Sequence, residues 1–214
     1  MRTVLINHIR GSIKRLGLRV QSCSTEAFPI RFIAIVDDLP EMLVPALMPL
    51  IKQIDDLTRQ IRVYDKQIER LCDTKYPETD ATRQIHGVGS LTALAFVLTL
   101  ESPDRFPHRR SVGSFVGLVP RRDQSGSSDK QLKITKCGNH YLRRLLVGCA
   151  QYILGPFGGE SDLRTYGERI ALKGGKNAKR RAVVAVARKL SVLMHALWST
   201  GEEYEPLRHS KKAA

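Results

Sequence analysis

Leu47, Leu50, Ile54, Leu57, Ile61, Tyr64, Ile68 and Leu71 recur in alternating steps of three and four residues. A repeat of this period keeps one narrow apolar stripe along a helix. Lys52, Asp55, Arg59, Arg62, Lys66 and Glu69 all stand off the stripe. So narrow a stripe suits a facing helix better than a broad core. The segment therefore reads as a coiled-coil helix that pairs with another molecule or folds back as a hairpin, with the first helix as a candidate partner. The alternative is a long amphipathic helix packed on its own domain. Tyr76-Pro77 ends the helix, because a residue before proline is pushed out of the helical region. The expected fold class is mainly α: a long coiled-coil helix followed by a helical domain.

The rest of the chain supports that class. Val4, Leu5, Ile9, Ile13 and Leu16 have helical spacing, and Gly17 is placed to cap that helix. Val20 to Pro40 reads as a connection with a short helix near Ile30 to Val36. Asp80 to Leu100 reads as helix, tight turn, helix, with Ile85-His86-Gly87-Val88-Gly89 at the turn. This looks like a helix-hairpin-helix element. Gly87 and Gly89 would let the backbone approach a phosphate, and the amides of the next helix would receive it. A plain helix connection explains the same residues. Asn139 is a good N-cap for a helix through Leu154, and helices are expected over Ser161 to Leu172 and Ala178 to Trp198. The last of these has an apolar face of Val183, Val184, Ala187, Leu190, Leu193, Met194 and Leu197. No sheet is expected, beyond a short strand considered at Leu132 to Thr135. The domain expectation is 1–78 for the first helix and coiled coil, 79–204 for the second domain, and a flexible tail at 205–214.

Charge bears on partners. The formal net charge is +14, and an excess of this size favours nucleic acid, because each neutralised phosphate releases counterions. Ribosomal and anionic membrane surfaces are the alternatives. Lys179, Arg180 and Arg181 concentrate charge at the start of the last helix. Cys23, Cys72, Cys137 and Cys149 form no C-x-x-C pair and no zinc spacing, which fits free thiols in a reducing compartment. The N-terminus lacks the apolar core of a signal peptide, and no apolar stretch approaches the roughly 18 residues of a membrane span. A cytoplasmic protein is expected, with no metal site in this chain and no membrane partner.

The chemistry lies in RRDQSGSSDKQLKITKCGNHYLRRLL, from Arg121 to Leu146. Ser125 and Ser127 sit among Arg121, Arg122, Lys130, Lys133 and Lys136, with Asn139, Arg143 and Arg144 at the following helix start. A serine hydroxyl attacks phosphorus only where cations stabilise the phosphoryl oxygens and a base or metal takes its proton. The same residues make a phosphate-binding loop, and residue chemistry alone favours the loop. His86 and His140 are weaker candidates for bases. Asp37-Asp38 is an isolated pair of acids, and Asp162 and Glu168 are ordinary surface charges.

Several stretches together resemble a known family. They are RTVLINHIRGSIKRLGL, IHGVGSLTALAFVLTL, SVGSFVGLVPRRDQSGSSDKQLKITKCGNHYLRRLL and AKRRAVVAVARKLSVLMHALWSTGEEYEP. Their order and content are similar to the Piv/MooV-type DEDD insertion-sequence transposases, which are guided by a bridge RNA. The resemblance implies a coiled coil and a helical transposase domain carrying a serine nucleophile in the S-G motif after G-L-V-P-R. Those flanks place the nucleophile at Ser125, with Ser127 as the fallback. It further implies DNA and guide RNA as partners. Magnesium would be held by four acids of a RuvC-like domain, which would lie before Met1. The expectation is a truncated transposase that binds DNA or structured RNA, pairs through its coiled coil with itself or an intact relative, and does not complete recombination alone.

Overall fold

The computed structural model describes residues 1–125 and 128–208, with only the backbone of 128–131. It is mainly helical, as expected, and divides into two compact units, Met1–Gln67 and from Ile68 onward.

The first unit comprises α1 (Arg2–Lys14), α2 (Phe28–Ile33), a 3-10 turn at Val36–Asp38, and most of the long helix α3 (Val44–Lys75). Helix α1 buries Ile6, Ile9 and Ile13, one helical face. Val4 and Leu16, expected on that face, are exposed, and Ile6 takes the inward position. Gly17 has φ +79°, and Leu18 N–H donates back to Ile13 O at 3.2 Å, so the left-handed glycine closes the helix as expected. Helix α2 starts earlier than expected, because Pro29 occupies its first turn, where a missing N–H costs nothing. Phe28 and Phe32 are fully buried within the same core as Ile9 and Ile54.

Helix α3 confirms the continuous helix but changes the stripe. Its buried positions within the first unit are Leu47, Ile51, Ile54 and Thr58, while Leu50 and Leu57 are half-buried. The chain's own packing thus uses a face rotated slightly from the heptad seam. Arg2 Nη1 donates to Thr58 Oγ1 at 3.2 Å, and Arg62 pairs with Glu26 at 2.8 Å. Beyond Thr58 most of the seam is open: Ile61 is 38% exposed, Tyr64 62% and Leu71 37%, while Ile68 is half-buried.

The second unit continues with α4 (Thr79–Arg83), α5 (Ser90–Leu100), α6 (Ser111–Phe115), β1 (Pro120–Ser125), β2 (Ser128–Ile134), α7 (His140–Ile153), α8 (Asp162–Leu172) and α9 (Ala178–Thr200). Helix α9 is the central pillar, packed by α4, α6, α7 and α8. Val186, Ala187, Leu190 and Met194 are fully buried, against Leu142 and Leu146 of α7 and Phe96 of α5. The 23 residues of α9 are long and apolar enough to cross a membrane, by length and composition only. That corrects the expectation that no such stretch exists. Its central place in a protein core accounts for its composition.

Two further expectations change. The described part of the expected tail makes contacts: Asp162 N–H donates to Pro206 O at 2.7 Å, and Arg208 pairs with Glu202 at 2.8 Å. Residues 209–214 lie outside the described residues. A sheet is also present, because β1 and β2 pair antiparallel. Periodicity did not signal it, since exposed residues from Arg121 to Gln124 leave no apolar face to alternate with a polar one. Backbone pairing and a built base hold it instead.

Candidate nucleic-acid interface

The hairpin pairs Pro120 with Ile134, Arg122 with Gln131, Asp123 with Lys130, Gln124 with Asp129 and Ser125 with Ser128. Between the first two pairs, two residues of β2 stand against one of β1, a bulge that bends and twists the ribbon. At about 3.4 Å per residue, Ser125 stands roughly 17 Å along the strand from Pro120. Its side chain is exposed. The fallback Ser127 and its neighbour Gly126 lie outside the described residues.

The base of the hairpin is tightly built. Gly117 and Gly138 have φ +72° and +73°. A Cβ on Gly117 would land on the Cys137 backbone, and one on Gly138 on the Phe115 carbonyl. No other residue fits either place without moving the chain. Thr135 N–H donates to Val119 O at 2.9 Å and Lys136 N–H to Gly117 O at 3.2 Å. Arg143 completes the base: its Nη1 donates to Val116 O at 2.9 Å and to Cys137 O at 2.8 Å. Those carbonyls belong to the segments that enter and leave the hairpin.

Arg143 was expected to hold phosphate. At 8% exposure, with both those bonds made, it serves the fold. Both bonds leave one guanidinium nitrogen, whose two N–H groups serve the two carbonyls. Asn139 also has a structural task, since its Oδ1 accepts from Leu142 N–H at 3.0 Å and caps α7. Arg121, Arg122, Lys133, Lys136, His140 and Arg144 are exposed on the hairpin and at the start of α7. Arg144 lies over the exposed Tyr141 ring, 5.4 Å from its centre. Lys130 is in β2, and its side chain lies outside the described residues.

The expected helix–turn–helix is present between α4 and α5. Gly87 has φ +97°, and a Cβ there would come within 2.9 Å of Tyr152 Cδ1. Glycine at this position therefore has a packing cause that needs no phosphate. Gly89 is extended at the N-cap of α5, with open space around it. The neighbouring cation is taken, because Arg83 pairs with Asp73 at 2.7 Å and Asp80 at 3.2 Å. The α9 start is more open: Lys179, Arg180 and Arg181 are exposed, although Arg181 Nη2 donates to Gly174 O at 2.8 Å. No acidic residue stands between Glu168 and Glu202 in the sequence.

Among the described residues, no three His, Cys, Asp or Glu side chains gather as a metal site. Asp37 and Asp38 are exposed on the 3-10 turn of the first unit. These residues do not fit a magnesium centre. Glu168 pairs with Arg164 at 2.8 Å. Arg164 Nη1 also donates to the carbonyls of Ile153, Gly155 and Gly158, closing the loop after α7. Sequence reasoning passed over His195, which is 2% exposed with Nε2 at 2.9 Å from Pro103 O.

Residues 80–166 match the family model described as Transposase IS116/IS110/IS902 family. Over those residues the chain is similar to the IS116/IS110/IS902-family transposases. The matched segment encloses the glycine turn, the hairpin and α7. Similarity to curated relatives extends further. The transposase for insertion sequence element IS1111A of Coxiella burnetii is 28% identical over 95% of this chain and 56% of its own length. The putative transposase y4pF/y4sB of Sinorhizobium fredii is 29% identical over 95% of this chain and 52% of its own length. The pilin gene-inverting protein of Moraxella lacunata is 27% identical over 58% of this chain and 38% of its own length. The chain thus spans about half the length of the first two relatives.

Proposed function

We propose that this chain grips DNA and carries, in Ser125, the hydroxyl that attacks phosphorus during insertion-sequence recombination. One observation supports this above the others. An exposed serine stands at the far end of a basic hairpin whose legs interlock at Gly117 and Gly138 and are tied to α7 by Arg143. The reaction is a transesterification. A Ser125 Oγ–P bond forms, the P–O bond to the leaving sugar breaks, and that sugar oxygen leaves as a hydroxyl once protonated. The serine proton goes to a base or metal-bound group. Because the residues here do not fit a magnesium centre, the required acids come from elsewhere in the assembly.

Arg121, Arg122, Lys133, Lys136 and Arg144 form the DNA-facing set on the hairpin and α7. Lys179, Arg180 and Arg181 form a second basic surface, suited to backbone phosphates of DNA or a structured guide RNA. The open half of the α3 seam is the surface for self-pairing or for pairing with a longer relative. Such a chain works where the DNA is, in the cytoplasm.

The test is a retardation assay and a strand-exchange assay with supercoiled donor DNA and magnesium. The chain should shift DNA without exchanging strands, and Ser125→Ala should shift it equally. Arg121→Ala, Arg122→Ala and Lys133→Ala combined should weaken the shift. Failure to bind DNA, or strand exchange by the isolated chain, contradicts the proposal. A simple binding protein is the competing reading. It is favoured by the missing acid cluster among the described residues, and it predicts no covalent adduct on any substrate.

A further inference from the structure

The base of the hairpin carries more than a fold. Cβ atoms at Gly117 and Gly138 would collide with backbone from the opposite leg, so the two legs interlock. The interlock joins the legs to each other, and the buried Val116 and Leu118 seat the entering leg in the helical core. One side chain ties both legs at once to α7. Arg143 sits in the first turn of α7, directly after the fully buried Leu142 and four residues beyond Asn139, which caps the helix. Its Nη1 takes one carbonyl from each leg, Val116 at 2.9 Å and Cys137 at 2.8 Å. Both bonds come from a charged donor shielded from water, which makes them stronger than neutral ones. The partners are backbone atoms, so the geometry is independent of which side chains the hairpin carries.

From this geometry we infer that Arg143 is the positioning residue for Ser125: it fixes the angle at which the whole hairpin leaves the helical body. A rigid ribbon converts a small change of angle at its base into a large displacement at its end. For an arm of roughly 17 Å, a tilt of about 10° moves the tip by about 3 Å, well beyond the displacement that costs an in-line reaction its geometry. Arg143 touches no reacting atom. It acts through the hairpin.

The inference rests on the proposed role of Ser125, and the test separates the two. Amide exchange is followed at Thr135 and Lys136, whose N–H groups close the hairpin base, and at Leu146, deep in α7. In Arg143→Gln, exchange at Thr135 and Lys136 should rise by about tenfold or more while Leu146 keeps its protection, a local opening. Arg143→Lys, which retains a single-point donor, should fall between that variant and the parent. Ser125→Ala should leave all three rates unchanged. Adduct formation at Ser125 should drop by about a hundredfold in Arg143→Gln, with partial rescue in Arg143→Lys and unchanged DNA affinity in both. Equal acceleration at Leu146, or no acceleration at the base, overturns the clamp. If Arg143→Gln does not fold, Arg143→Lys decides alone by the same comparison. Should the parent form no adduct, the serine reading fails while the exchange rates still judge the clamp.

Discussion

Gly117 and Gly138 hold left-handed backbone against opposite legs of the hairpin. Alanine at either position should lower stability by more than the roughly 1–2 kcal/mol of a left-handed non-glycine residue, because a steric collision adds to it. Thermal melting checks this. Thr135, between them, has a buried hydroxyl that finds no partner among the described residues. Thr135→Val should therefore leave the melting temperature unchanged or raise it, since an unsatisfied buried hydroxyl costs about 1–3 kcal/mol. A clear drop would mean that the hydroxyl has a partner. Local signals at this scale were legible in the sequence. Asn139 and Gly17 were readable as caps because a cap's partners lie within a few residues. Arg143 was not readable. One of its partners is 27 residues away, and in the sequence it is one of two adjacent arginines in a basic stretch. Gly87 was readable as a turn, but its contact with Tyr152 exists only in the packed structure.

At the scale of elements, α3 carries two surfaces on one helix. Ile51 and Ile54 are buried with α1 and α2, whereas Ile61 and Tyr64 face outward. Ile54→Ala should cost about 2–5 kcal/mol, the usual loss for a buried isoleucine. Ile61→Ala should cost the isolated chain almost nothing. If the open seam pairs with a second copy, the combined Ile61→Ala and Tyr64→Ala variant should lose self-association in sedimentation, while its melting at low concentration stays the same. An unchanged sedimentation profile would remove the seam from the account. The heptad made the helix legible but not the division of labour along it. Periodicity reports an apolar stripe and does not say which part the chain covers itself. The hairpin was illegible for the opposite reason: Arg121 to Gln124 are all exposed, so the usual period of two is absent there.

For the whole molecule, the net charge of +14 predicts DNA affinity that falls steeply with salt, about 1000-fold or more between 50 and 200 mM if six phosphates are engaged. Stability has its own dependence on pH. Burial pushes the Cys149 thiol up, opposed by its hydrogen bond to Thr92. Burial and then Asp162 push the Tyr204 phenol up. Both groups hold their protons more tightly when folded. Their stabilisation is complete below the unfolded thiol value of about 8.5 and the unfolded phenol value of about 10, and it is lost as pH rises beyond them. Thermal melts from pH 7 to 11 should show this alkaline decline, reduced in Cys149→Ala after allowance for that variant's lower starting stability. The helical class and the transposase resemblance were legible at this scale. The central role of α9 was not, since its composition alone also suits a membrane.

The central claim concerns one oxygen atom, Ser125 Oγ. The most direct measurement uses DNA with a bridging phosphorothiolate, whose sulfur leaves without needing a proton and so relieves part of the demand for a metal. The chain is incubated with this DNA, denatured and digested with trypsin, and the nucleotide-bearing peptide is sequenced by mass spectrometry. The account predicts an adduct within the peptide running from Asp123 to Lys130, with the nucleotide on Ser125, and no adduct in Ser125→Ala. An adduct on Ser127, on Ser128 or outside the hairpin contradicts it, as does the absence of any adduct.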